Sequence, residues 1–448
     1  MRIENDSIGS IPIHADSYNG IHTFRARMNF DISKQEVDRV LLYQIAQIKA
    51  AAAIANQQTG KLSALKARTI VDVVDEILDG QWDQELRLDA FQGGAGTSTN
   101  MLLNEFIANR GLERLGHLKG EYQYLHPLDD INQSQSTNDV YPSAGKLAVF
   151  LQIHQLLEPL QALTGVLDEK AVAFANIQKM GRTQLQDAVP TTFGQSFQAY
   201  GNNLKRCAKR LRAIMNELTE LNLGGTAIGT CVNASIPYRT IVYRELKKRS
   251  KIAVKPAADF IDATQNLDVF VMVSSVLKAL AVSLLKMSHD LRLLSSGPRA
   301  GLAELALPAR QAGSSIMPGK VNPVIPEVVS QIAFQVMGND TTITIAAESG
   351  ELELNAFEPV IFHNLFESIQ LLNQGCRVLN THCLADIQVN SEKCLQDVSH
   401  GTALATKLAP IIGYERASNV VKESLLKNIP VEELLGKESF EALSKQIG

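Results

Sequence analysis

Along most of the chain, apolar residues recur at three- and four-residue spacings, and the runs that keep this period are long. In residues 36–80, Val40, Ile45, Ile48 and Ala52 fall on one helical face. A small-residue loop at 93–99 precedes a second helical pattern with Met101, Leu102, Phe106 and Ile107 on one side. Leu147, Leu151, Ile153, Leu157, Leu160, Val166 and Leu167 trace a longer stripe, with a kink expected at Pro159. Further long helices are predicted over 193–221, 267–294, 327–348 and 360–384. Period-two alternation is scarce. Residues 1–30, with Ile11, Ile13, Gly20 and His22, read as an extended arm, and 122–140 as a polar loop. Shorter helical patterns at 403–412 and 416–426 close the chain.

Helices this long exceed the usual globular length, and their broad apolar faces must be buried on one another. The expected fold class is therefore mainly α. A long central helical bundle is expected over 138–392, between a smaller N-terminal domain (1–137) and a small C-terminal helical domain (393–448).

Composition narrows the function classes. The 448 residues carry a formal charge of −4, so no broad phosphate-binding surface and no nucleic-acid partner are expected. Aromatic content is 6%, with Trp82 the one tryptophan, which argues against stacking platforms for single strands. The most apolar stretch, 269–294, is interrupted by Lys278, Lys286, His289, Asp290 and Arg292, so no membrane span is expected there. The N-terminus MRIENDSIGSIPIHAD lacks the apolar core of a signal peptide. Five scattered cysteines without a CxxC read as reduced thiols, and the expected location is the cytoplasm.

The stretch GSSIMPGKVNP (313–323) is a near miss to a phosphate loop. Its glycine spacing is wrong, Val321 stands where a metal-binding hydroxyl is needed, and no strand precedes it. The GAGTST loop at 94–99 likewise lacks a βαβ context. No HExxH or zinc-spaced Cys/His set is present, and no metal or cofactor is expected. What recurs is clusters of hydroxyls and amides: Thr97 to Asn100, Ser134 to Asp139, Arg182-Thr183-Gln184, and Ser314-Ser315 with Lys320 and Asn322. Each cluster alone reads most simply as helix capping, Arg182 as an ion-pair partner and His126 as a surface or hydrogen-bonded histidine. Together they suit a small dicarboxylate, whose two carboxylates need two groups of donors.

These motifs resemble the aspartase/fumarase superfamily, and within it the aspartate ammonia-lyases. GSSIMPGKVNP is similar to the family's signature loop. FQGGAGTSTNMLLNEFIANRGLERLGHLKGEYQYLHPLDDINQSQSTNDVYP (91–142), GRTQLQDAVP (181–190), NLGGTAIGT (222–230) and the block at 326–361 resemble it as well. So does the N-terminal ADSYNGIHTFRARMNF, and the likeness weakens after about Asn390. The resemblance implies an almost all-helical homotetramer with each active site assembled from three subunits. The implied reaction is reversible elimination of ammonia from L-aspartate to give fumarate. Ser314 would be the base, removing the proton beside the β-carboxylate. Thr97, Ser136, Thr137 and Ser315 would hold that carboxylate and its aci form. Lys320, Asn322 and Thr183 would hold the α-carboxylate, while Asn138, Thr183 and Gln184 would surround the amino group.

Within the superfamily, fumarases typically read GRTHLQDA where this chain reads GRTQLQDA, and tend to have lysine at the position of Glu358. Leu128 in HPLDD departs from the usual asparagine. The alternatives are a fumarase or another succinyl-group lyase and, in a different class, a non-catalytic structural tetramer.

Overall fold

The computed structural model describes residues 1–401 and 404–436. Ala403, where the sequence pattern starts a helix, and residues 437–448 of the expected C-terminal domain lie outside the described residues. The chain forms two compact units. Unit one comprises Met1–Leu157, Lys209–Ala279 and Gln335–Leu372; unit two comprises Glu158–Ala208, Leu280–Phe334 and Asn373–Gly448.

The N-terminal segment departs from an extended arm. Strands Arg2–Asp6 (β1) and Gly9–Ile13 (β2) form an antiparallel hairpin, and Ile21–Asn29 is a helix (α1). Its sequence, IHTFRARMN, has no clean apolar stripe, and its start is set by distant carboxylates. Buried Glu105 accepts the backbone N–H groups of Gly20, His22 and Thr23 at 2.8, 2.8 and 3.1 Å, and Glu4 accepts that of Ile21 at 2.8 Å. These acceptors satisfy the donors that a helix start leaves open and complement its positive end.

The rest of unit one begins with Arg39–Gln58 (α2), Ala64–Leu78 (α3) and Thr97–Arg114 (α4). Asp38 and Ser63 cap α2 and α3 through their side-chain oxygens. The four-alanine run of α2 is buried, and α2 packs against α3 and Ile236–Ser250 (α7, below). Small side chains permit that close approach. The 122–140 stretch holds a short π-helical turn, Pro127–Ile131. His126 caps this turn, its Nδ1 accepting from Leu128 and Asp129 at 3.1 Å each.

Five long helices follow: the first holds the stripe at 147–167 but begins inside the stretch read as a polar loop, and the other four match the predicted spans to within five residues at each end. They are Thr137–Ala173 (α5), Phe193–Glu217 (α6), Asp268–Leu294 (α9), Val324–Glu348 (α10) and Glu358–Leu379 (α11). The assigned helix of α5 continues through Pro159. Between α5 and α6 lie strands Gln178–Thr183 (β3) and Gln186–Thr192 (β4), an antiparallel hairpin that the weak alternation did not reveal. Glu220–Leu221 (β5), α7, Lys255–Pro256 (β6) and Asp262–Gln265 (α8) fill the stretch before α9, with β5 and β6 parallel. Leu305–Ala306 (β7) pairs with Gln388–Val389 (β8). Ser391–His400 (α12), Leu404–Ile412 (α13), Tyr414–Lys427 (α14) and Val431–Leu435 (α15) complete the described chain.

Each long helix contributes residues to both units, and within each unit the helices pack on one another. In unit one, Phe362 of α11 meets Tyr141 of α5 and Phe270 of α9, with ring centroids 5.4 and 5.0 Å apart. Helix α9 is long and apolar enough to cross a membrane by length and composition. Its Lys278 is nonetheless paired, together with Ser274, to Asp340 of α10. In unit two, Tyr200 of α6 donates to Asp290 of α9 at 2.6 Å, and Arg377 of α11 to Glu158 of α5 at 2.9 Å.

Candidate active site

The ten sequence-predicted site residues divide between the units. Thr97, Ser136, Thr137 and Asn138 belong to unit one; Thr183, Gln184, Ser314, Ser315, Lys320 and Asn322 belong to unit two.

In unit one, the starts of α4 and α5 are brought together. The chain enters α4 through three consecutive left-handed residues, Gly94, Ala95 and Gly96, with φ of 88°, 53° and 82°. A Cβ on Gly96 would lie 2.4 Å from the Tyr141 ring of α5, so only glycine fits there. Thr97 follows as an exposed residue of the first turn. Asn100, one turn on, donates to Thr137 Oγ1 at 3.0 Å. Since Thr137 Oγ1 accepts that bond, its own hydrogen is left to donate elsewhere. At the start of α5, Ser136 Oγ accepts from the Asn138 backbone at 3.2 Å. Asp139 in turn accepts from the Ser136 backbone at 2.9 Å, a reciprocal cap. The capping reading of this cluster therefore holds alongside any ligand role. Asn138 Nδ2 donates to Ala227 O at 2.8 Å.

Beneath these residues is a polar cluster that the sequence reading missed. Lys49 of α2 is wholly buried and donates to Asn132 Oδ1 at 2.8 Å. The same oxygen accepts from Asn100 and Asn104, each at 3.3 Å. Asp139 is also wholly buried, its other oxygen accepting from Gly224 and Thr226 at 2.9 and 3.0 Å. Burial lowers the Lys49 ammonium to about 7 and raises the Asp139 carboxyl to about 6, each shift moderated by the other's charge. The available signal was a lone lysine inside the apolar run AQIKAAAAIAN. Glu358, at the start of α11, is raised to about 8 by burial, with Lys146 opposing.

In unit two, Thr183 and Gln184 sit at the exposed tip of the β3–β4 hairpin. This corrects the helix-capping reading of their cluster. The two-residue loop is Gln184-Leu185, with φ of 54° and 64°. That is a turn with two left-handed residues, usually given to Asn or Gly, and here it is built from side chains that adopt it at a cost. A register shift between Met180 and Arg182 places a bulge at Gly181, where a Cβ would lie 2.5 Å from Val189 O.

The 313–323 loop is pinned at its base. Gly313 N donates to Lys320 O at 2.7 Å, and Asn322 Nδ2 to Gly313 O at 3.1 Å. Ser314 Oγ accepts two backbone bonds, from Ile316 at 3.1 Å and Met317 at 3.0 Å. Ser315 and Lys320 are exposed. Among the described residues no hydrogen bond joins this loop to the hairpin tip, and no group of three or more His, Cys, Asp or Glu is gathered for a metal ion.

A family model described as lyase matches residues 9–338. The aspartate ammonia-lyase of Pseudomonas aeruginosa is 48% identical over 98% of this chain and 93% of its own. That of Bacillus subtilis is 44% identical over 97% of this chain and 91% of its own. The chain belongs to the lyase family. Solved structures agree in fold. A fumarate lyase:delta crystallin from Brucella melitensis, bound to cobalt, superposes with a TM-score of 0.96 at 46% identity, covering 100% of this chain and 98% of that one. The class II fumarase of Schistosoma mansoni gives 0.95 at 32% identity, with the same coverage. The mainly helical lyase-family fold is thus the fumarase/aspartase-like one expected from the motifs.

Proposed function

We propose that this lyase eliminates ammonia from L-aspartate to give fumarate, reversibly, as a cytoplasmic homotetramer. The observation that carries the reaction is the near full-length identity to relatives named aspartate ammonia-lyase. Gln184, in place of the histidine typical of fumarases, favours an amine over a hydroxyl leaving group. The tetramer reading is supported by apolar side chains left exposed on the long helices, among them Met272, Phe334 and Ile345.

In the proposed mechanism Ser314, as alkoxide, takes a proton from the carbon beside the β-carboxylate. The electron pair delocalises into that carboxylate as an aci-anion. It then forms the C=C bond as the C–N bond of the protonated amine breaks, so that neutral ammonia leaves with the bonding pair and the abstracted proton stays on Ser314. A free serine hydroxyl ionises only far above neutral pH. Two backbone N–H groups aimed at Ser314 Oγ favour its anion, which supports the base role. Thr97, Ser136, Thr137 and Ser315 would hold the β-carboxylate. Thr183, Lys320 and Asn322 would hold the α-carboxylate, and Asn138, Thr183 and Gln184 the amino group. The left-over hydroxyl hydrogen of Thr137 suits a carboxylate acceptor.

The test is to offer the purified protein L-aspartate, malate and argininosuccinate while following fumarate absorbance. Turnover of aspartate is expected. Turnover of malate alone would make it a fumarase, and none with any succinyl substrate in a folded tetramer would favour a structural role.

A further inference from the structure

The hairpin tip that carries Thr183 and Gln184 is a strained turn, and such turns persist only where the surrounding structure holds them. Arg182, next to the tip, is the residue placed to do so. Its Nη1 donates to Glu304 Oε1, and Glu304 is wholly buried. Its Nε lies 3.8 Å from Asp187 across the hairpin, and its Nη2 lies 3.8 Å from Asp397 of α12. Glu304 is itself fixed by its backbone, whose carbonyl accepts from Asn390 at 2.9 Å just before α12. Among the described residues the second Glu304 oxygen has no hydrogen-bond partner, and it lies 3.6 Å from Lys179 Nζ. Arg182 thus ties together the turn, a buried carboxylate and the first helix after β8. The planar guanidinium sets a direction that a point charge would not.

We propose that Arg182 is a positioning residue for the Thr183-Gln184 tip, with Glu304 and Asp397 as its anchors, so that α12 sets the orientation of the amine-binding side of the site. The inference rests on the proposed role of that tip in holding the amino group and α-carboxylate. Loss of an anchor then raises KM for L-aspartate while sparing proton removal.

The test compares Asp397→Asn, Glu304→Gln, Arg182→Lys and Thr183→Ala with the parent tetramer, measuring KM and kcat in both directions. Asp397→Asn leaves the buried pair intact, so it reports even if Glu304→Gln fails to fold. The expected result is a KM for L-aspartate raised roughly 3- to 30-fold in Asp397→Asn and Arg182→Lys, the scale of weakening a hydrogen bond to a charged group. KM for ammonia should rise more than KM for fumarate, and kcat should change less than KM. In a Thr183→Ala background the Asp397→Asn effect should vanish. If Thr183→Ala is impaired but Asp397→Asn and Arg182→Lys behave as the parent, the positioning role is wrong. If Thr183→Ala is itself unaffected, the tip does not hold substrate and the underlying reading fails.

Discussion

Lys49 Nζ lies 2.8 Å from Asn132 Oδ1, and Lys49 is wholly buried. A neutral amide is thus the hydrogen-bond partner of a buried ammonium, while Asn132 and Asn100 link it to Thr137. The chain of bonds gives the lysine a reason to be buried beneath the start of α5. It also makes the folded protein respond to pH.

Burial lowers the folded Lys49 value to about 7 from 10.5. Between those values the unfolded chain binds a proton that the folded one does not. Stability attributable to this group therefore rises with pH across that window, by up to about 1.4 kcal/mol per unit. Asp139 works in the opposite sense. Its folded value is raised from 3.8 to about 6, so its contribution falls as pH rises through that lower window. The stability difference between parent and Lys49→Met should shift in the parent's favour from pH 7 to pH 9. Denaturant unfolding at several pH values measures it, and a constant difference would rule out a titrating Lys49.

Ser314→Ala should lower turnover by roughly 10²–10⁴-fold, the range for losing a general base. The hydroxyl also accepts the Ile316 and Met317 amides, so the loop should loosen locally while the helices stay intact. Steady-state rates with L-aspartate, alongside circular dichroism, separate the two effects. Near-parent turnover would remove Ser314 from the base role.

Gly96→Ala should destabilise unit one by about 1–3 kcal/mol through overpacking, with the left-handed backbone adding to the cost. The new Cβ would meet the Tyr141 ring at 2.4 Å from a residue with φ of 82°. Because Thr97 follows directly, KM should rise as well. A variant with parent melting temperature and KM would show that α4 and α5 shift apart freely.

His22 Nδ1 lies 3.0 Å from Glu105 Oε1, and this contact raises the folded His22 value above 6.5 against the opposing effect of burial. The stabilisation is complete below pH 6.5 and is lost as pH rises through the folded value. His22→Gln should therefore cost more stability at pH 5.5 than at pH 8.5. Thermal unfolding at the two pH values tests this, and an equal cost at both would refute it.

The long helices were legible because each must bury a broad apolar face, and that requirement writes a 3.6-residue period into the sequence. The pattern over 267–294 and the helix Asp268–Leu294 differ by one residue at the start. α1 was not legible, since its start is set by Glu105 and Glu4 rather than by its own residues. The β3–β4 hairpin was hidden for a related reason. Its turn is Gln184-Leu185 instead of an Asn-Gly pair, and much of the hairpin is solvent-exposed, so neither turn chemistry nor alternation marks it. The hydroxyl clusters stood out by composition, but Lys49 did not, because one lysine in an apolar run carries no motif.

By itself the sequence determined the helical architecture and the family, and it singled out the clusters of hydroxyl, amide and lysine groups on which the proposed site rests. These are local properties, set by periodicity and by the chemistry of short motifs. Tertiary structure alone decided that Asn100 reaches Thr137, that Lys49 lies beneath them, and that Arg182 joins a hairpin tip to Glu304 and Asp397. Those pairings cross tens to hundreds of residues. They depend on which buried polar groups the packed helices leave in need of partners, a matter no local pattern encodes.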